Sequence, residues 1–266
     1  MNNTMNIDEA FLSEHILKTG YEKIDKILDG FKPGEVVILG ARPAIGKSAF
    51  VYSLIDHICG TERKSCILFS QDSVNIVIRK LIMQKTGQIE AIKDNDVFAE
   101  TMRDVLSYDL SIWEASLDVA DLIRRCMGTH PYHKLIIVDY IQLLCCRYPG
   151  ERRKETTEIL WALKAFAESN RCSFLVTSSI SRGAEARKDH RPKVKDLNMF
   201  MEIDGCIDQI LMLYRDVYEE GNEGYAEMAV FDVKTCRKKG VVELRYDIDK
   251  MKFAEIESGN TELIKC

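Results

Sequence analysis

Proline is scarce in this chain, at 5 of 266 residues, and glycine numbers only 15. Collagen-like, low-complexity and wholly disordered architectures are thereby excluded. No apolar run approaches the roughly 18 residues of a membrane-spanning helix. The first residues, Met1 to Glu9, lack the basic start and apolar centre of a secretory signal. The expectation is a protein that neither enters nor crosses a membrane and works in the cytoplasm. Paired cysteine spacings are missing too. The nine cysteines include no C-x-x-C and two neighbours, Cys145 and Cys146, so buried reduced thiols fit better than a disulfide framework or a zinc knuckle. Positive charge is not in excess, since 37 Lys and Arg face 42 Asp and Glu for a net −5. That balance excludes a uniformly basic nucleic-acid coat and leaves room for a local basic groove.

What is present is an ordinary folded composition, 46% hydrophobic and 30% charged. It suits one large domain that buries roughly three quarters of its unfolded surface. Residues 1–18 read as a leader, with a short amphipathic helix over Asp8 to Ile16, and 19–266 as the domain. From Glu35 onward, short β-branched runs alternate with amphipathic stretches. The runs are Val36–Leu39, Cys66–Phe69, Leu110–Trp113, Leu135–Val138 and Ser173–Thr177; the helical patterns include Lys47–Ile58, Val74–Lys85, Asp118–Met127 and Thr157–Ser169. Strands buried on both faces and separated by helices predict a mostly parallel α/β sheet with helical crossovers. After Asp208, runs at Ile210–Tyr214, Ala226–Val233 and Val241–Tyr246 predict that the sheet ends antiparallel.

The strongest local signal follows the first run: Gly40-Ala41-Arg42-Pro43-Ala44-Ile45-Gly46-Lys47-Ser48-Ala49. Strand, glycine-containing loop and helix start stand in the order that lets backbone N–H groups and a helix N-terminus cradle phosphates. Lysine then reaches the terminal phosphates and the hydroxyl ligates Mg²⁺. Ala41 stands where the strict motif has its first glycine, so an accidental Gly-Lys-Ser is the alternative. The run Leu135–Val138 ends on Asp139, an acid placed to serve the same metal ion.

These residues resemble the C-terminal ATPase domain of DnaB-family replicative helicases, a RecA-like P-loop fold. The resemblance rests on Thr19-Gly20-Tyr21, Gly30-Phe31-Lys32-Pro33-Gly34, the Ala41-Arg42-Pro43-x-x-Gly46-Lys47-Ser48 loop, Asp139-Tyr140-Ile141-Gln142-Leu143, Arg191-Pro192, Asp196-Leu197 and Tyr214-Arg215-Asp216. It implies ATP and Mg²⁺ at Ala41 to Ala49 with Arg215, metal at Ser48 and Asp139, and catalytic roles for Lys47 and Asp139. Lys234 and Arg237 are the matching candidates for residues that reach a neighbour's nucleotide, a basic turn facing solvent being the plainer reading. Single-stranded DNA, a hexameric ring, and a primase or loader are the implied partners.

Three positions depart from the family pattern. Asp72 stands where its catalytic glutamate falls, one methylene shorter. Ser179 replaces a glutamine, and Asn198 to Gly205 are rewritten. Two basic segments, Arg147–Lys154 and Arg182–Lys193, suit a phosphate backbone, with Arg152, Arg153, Arg182, Arg187, Lys188 and Arg191 as DNA contacts. Solvated loops explain the same charges. An ATP-driven motor is the leading function. A nucleotide-binding regulatory or assembly module, and a RecA/RadA-like recombination ATPase, are the alternatives.

Overall fold

A computed structural model describes residues 15–87, 95–114, 118–128, 135–145, 151–185, 187–197, 205–215, 224–233, 237–257 and 261–263. Residues 8–14 of the expected leader helix, Lys234, positions 147–150 and all but the last residue of the rewritten 198–205 stretch lie outside these residues, and the described end of that helix, His15 and Ile16, is not helical.

Among the described residues ten strands form one sheet, in the order β10-β8-β7-β6-β1-β5-β4-β2-β3, with β9 also paired to β8. The strands β1 (Val36–Ala41), β2 (Cys66–Ser70), β3 (Leu110–Glu114), β4 (Leu135–Asp139), β5 (Ser173–Ser179) and β6 (Gln209–Arg215) are mutually parallel where they pair. Beyond β6 the pairing turns antiparallel through β7 (Tyr225–Asp232), β8 (Arg237–Asp247), β9 (Lys252–Glu255) and β10 (Thr261–Leu263). The predicted parallel sheet with an antiparallel end is the observed one. Among the described parallel strands, β3 alone departs from the expectation of burial on both faces. It is the edge of the described sheet, and its residues are half-buried or exposed.

The two-residue period of a strand divides the core into two layers. Val37 and Leu39 of β1 point into one cluster with Leu68, Leu135 and Ile137. That cluster takes its helices from α1 (Glu22–Leu28), α2 (Lys47–Ile55) and α3 (Val74–Thr86). Val36 and Ile38 point into the other, against α5 (Val119–Gly128) and α6 (Arg152–Asn170). Among the described residues the remaining α-helix, α4 (Asn95–Leu106), packs beside α3 and adds Val105 to the first cluster. Fully covered faces explain why each central strand reads as an unbroken apolar run.

Two boundaries correct the sequence reading. Helix α6 begins at Arg152, five residues before the expected Thr157, so Arg152 and Arg153 open a helix and do not belong to a loop. Basic residues at a helix start oppose the macrodipole, which is why the sequence hides this boundary. Lys154 pairs with Glu151 at 2.5 Å across that first turn. Strand β8 begins at Arg237, four residues before the expected Val241, placing this arginine on a strand opposite Asp232.

Candidate nucleotide site

All the parallel strands point their carboxyl ends to one edge, where ligands of open α/β sheets bind. The loop after β1 and the acid ending β4 meet there. Gly46 is the residue before α2, with φ of 117°, and Ala44 has φ of 63°. Glycine is needed at 46 on two counts. The backbone is left-handed, and an added Cβ would sit 2.9 Å from the Phe253 ring. Lys47 opens the helix and donates from Nζ to the carbonyls of Ala41 and Arg42, both at 3.2 Å. Burial lowers its pKa, against the opposing pull of Asp139.

Ser48 donates from Oγ to Asp139 Oδ2 at 2.7 Å. Asp139 closes β4 and is 7% exposed. Its other oxygen accepts from Thr177 Oγ1 of β5 at 2.5 Å, so each carboxylate oxygen has its own hydroxyl donor. The Asp139–Tyr140 peptide is cis. A hydroxyl and a carboxylate side by side, next to an ammonium, are the hard oxygen donors that magnesium takes in phosphate sites. The residues fit that ion.

A cavity of about 390 Å³ opens on this edge, and Lys47, Ser48, Asp72, Lys80, Asp139 and Ser179 all line it. Asp72 lies two residues past β2 and faces the same space. Its Oδ2 accepts from Tyr52 Oη at 2.7 Å and from Lys80 Nζ at 2.5 Å. Burial pushes the Asp72 carboxyl up, but the hydrogen bonds from Lys80 and Tyr52 and the lysine's charge outweigh it, and the net shift is downward. Burial, then Asp72, push the Tyr52 phenol well above its ordinary value.

The loop is braced from outside as well. Arg42 is ion-paired with Glu185. Arg215, at the end of β6, donates to Ala44 O at 3.0 Å while lying over the Tyr246 ring at 4.4 Å. Tyr246 contacts Phe253 with ring centroids 4.7 Å apart.

Of the residues read from sequence, Ala41 to Ala49, Asp72, Asp139, Ser179 and Arg215 therefore converge on one edge. Tyr52, Lys80 and Thr177 join them unforeseen. Tyr52 follows Ser48 by one helical turn, a spacing that puts both hydroxyls on one face. Thr177 is marked only by its place on the strand beside β4. Lys80 carries no sequence mark.

The basic segments are treated differently by the fold. Arg187 forms a two-pronged pair with Asp196, 2.9 Å on its Oδ1 side, and donates to Arg191 O at 2.5 Å. Arg191 makes a second two-pronged pair with Glu227, at 2.7 and 2.5 Å, and lies over Tyr214. Both arginines thus bind their own fold. Lys188 is exposed. Arg152 and Arg153 stand on α6, and Arg182 opens the short 3₁₀ turn Arg182–Ala184.

A Gly-Lys-Ser loop at the carboxyl edge of a doubly covered parallel sheet, answered by an acid from a nearby strand, defines a phosphate-binding domain of the RecA-like class. The description "DnaB-like helicase C terminal domain" matches residues 17–255, and the chain belongs to that family. It is 25% identical over 260 residues to the replicative DNA helicase DnaB of Geobacillus stearothermophilus, covering 91% of this chain and 57% of that protein. Against the Pasteurella multocida replicative DNA helicase DnaB it is 30% identical over 235 residues, covering 80% and 50%. The chain spans about half the length of these curated relatives. Among solved structures, the ATPase domain of G40P superposes with a TM-score of 0.82 at 22% identity, covering 96% of this chain and 100% of that one. A DnaB-like replicative helicase, described with its interactions with primase, gives 0.80 at 22%, covering 91% and 62%. The RadB recombinase gives 0.61 at 14% identity, covering 91% and 100%; these three show the shared fold.

Proposed function

We propose that the chain is the ATP-hydrolysing domain of a replicative DNA helicase, moving on single-stranded DNA. The observation that carries this reading is the Ser48–Asp139 contact beside Lys47, in a chain of the DnaB family. Lys47 balances charge on the terminal phosphates. Ser48 and Asp139 are the residues that would hold Mg²⁺, which when bound neutralises phosphate oxygens. Asp72 orients the attacking water. Arg237, with Lys234, completes the site of a neighbouring copy in a hexameric ring, where a trans arginine stabilises charge on the transferring group. Primase is a candidate partner because a structural neighbour is described with it, and a loader is another. Among the described residues no helix is long and apolar enough to cross a membrane, and the cytoplasm is the proposed compartment. DNA contact is assigned to Lys188, Arg152, Arg153 and Arg182 first. Arg187 and Arg191 contribute mainly by shaping the segment that carries Lys188.

The test is steady-state ATP hydrolysis with and without single-stranded DNA, using Lys47→Ala as the blank. DNA-stimulated turnover that Lys47→Ala abolishes is the expected result. A wild-type protein that binds ATP yet matches the blank overturns the motor and makes the chain a nucleotide-binding regulatory module.

A further inference from the structure

A carboxylate that activates water must keep one oxygen available while its side chain stays still. Asp72 meets both conditions in an unusual way. Tyr52 Oη and Lys80 Nζ converge on the same oxygen, Oδ2, and among the described residues Oδ1 accepts no hydrogen bond. Two donors on one oxygen fix the carboxylate plane and leave the other oxygen's lone pairs for a ligand in the cavity. The backbone of Asp72 is held as well, its N–H donating to Ser70 Oγ at 3.1 Å.

The three groups come from separate elements that are themselves packed. Tyr52 is 1% exposed on α2, and Lys80 stands on α3 with its ammonium 5.5 Å from the centre of the Tyr52 ring. Lys80 side-chain exposure is 28%, the same as that of Asp72. An isolated ion pair this open to water adds little stability, so a purely structural role accounts poorly for its place on the wall of the nucleotide cavity.

We infer that Lys80 is a positioning residue for Asp72, acting with Tyr52 to aim Oδ1 at the water that attacks the γ-phosphorus. In that step the water oxygen bonds to phosphorus as the bond to the β–γ bridging oxygen breaks. ADP leaves with the electron pair, and the water's proton passes to Oδ1. The clamp compensates for aspartate's short reach, because a carboxylate on one methylene fewer has less freedom to find the water by itself. This rests on the hydrolytic reading above and deepens it by naming what holds the base.

The experiment compares wild type with Lys80→Met, Lys80→Arg and Tyr52→Phe in the full chain. It measures kcat and KM for ATP, affinity for a fluorescent ADP with Mg²⁺, and the thermal midpoint. A misplacement near 1 Å costs up to about 100-fold in rate, so Lys80→Met is expected to lower kcat by at least about 10-fold. ADP affinity should stay within about twofold, because uniform binding is untouched. Lys80→Arg should recover most of the loss, and Tyr52→Phe should lose less than Lys80→Met. A Lys80→Met protein with unchanged kcat overturns the inference alone. Loss of ADP affinity in step with turnover also overturns it, making Lys80 a phosphate ligand. If Lys80→Met fails to fold, a Tyr52→Phe protein with unchanged kcat and unchanged ADP affinity has the same force, because it has lost one of the two donors to Oδ2. A wild type with no turnover removes the hydrolytic reading and this inference together.

Discussion

Thr177→Val isolates one bond of the candidate metal site without touching a metal-holding residue. Thr177 is fully buried on β5 and donates to Asp139 Oδ1 at 2.5 Å. Valine keeps the shape and deletes the donor. Hydrogen bonds to a charged group contribute about 1.5–3 kcal/mol, and the cost rises when the acceptor is left buried. Asp139 is 7% exposed, so little water replaces the lost donor, but Ser48 still serves Oδ2. We therefore expect a loss of about 2 kcal/mol in denaturant unfolding without magnesium, or about 4–8 °C in Tm for a protein of this size. The assignment to Asp139 is checked by a double-mutant cycle. In an Asp139→Asn background the acceptor is neutral and the same substitution should cost about 1 kcal/mol less. Magnesium affinity, read from the Mg²⁺ dependence of ADP binding, should fall less in Thr177→Val than in Ser48→Ala. A Thr177→Val protein within about 0.5 kcal/mol of wild type, or a cycle with no coupling, refutes the reasoning.

Gly46→Ala forces an L-residue to a φ of 117° with its Cβ 2.9 Å from Phe253. About 1–3 kcal/mol of stability should be lost, with nucleotide binding reduced more than tenfold in a fluorescent-ADP titration; binding within twofold of wild type contradicts the loop geometry. The acid limb of ATP turnover should lie below the ordinary Asp value of 3.8, because Lys80 and Tyr52 outweigh burial at Asp72. The folded carboxyl is the stronger acid, so its contribution to stability is complete above about pH 4 and is lost as pH falls through the folded value. Lys80→Met should move the limb upward, and an unmoved pH–rate profile contradicts the pairing. Lys188→Ala should weaken single-stranded DNA binding, lower the magnitude of its salt slope by about 1 and leave stability unchanged. Arg191→Ala should instead destabilise the protein, because it strands one face of Glu227, which is 9% exposed. Equal stability losses in the two variants count against this division of roles.

The fold was legible because its central strands are covered on both faces and stand out as pure apolar runs. The Gly-Lys-Ser loop and Asp139 were legible because the loop follows such a strand directly and the acid ends one. Lys80 was not. It belongs to an amphipathic helix whose polar face looks like any other, and only the packing of α3 brings its ammonium to Asp72. For Arg187 and Arg191 the sequence offers DNA contacts or solvated loops and hides the partners, because Asp196 and Glu227 are 9 and 36 residues away. Sequence spacing does not show which charges a fold will spend on itself. The starts of α6 and β8 were misplaced for a related reason. Runs of Arg and Lys suit a solvated loop on charge alone, and neighbouring segments decide otherwise.

Ser48 and Tyr52 stand four residues apart on α2, and each hands a hydroxyl to a different acid, Asp139 or Asp72. At 1.5 Å of rise per residue the two tether points are about 6 Å apart along a stiff rod. The helix is therefore a spacer bar between the acid that closes β4 and the acid that follows β2. Rolling or sliding it shifts both together, and neither can be retuned by a helix movement without disturbing the other. Any substitution under α2 that tilts it by a fraction of a turn carries a double penalty, and an adjustment of the gap between the acids has to come from the strands β2 and β4.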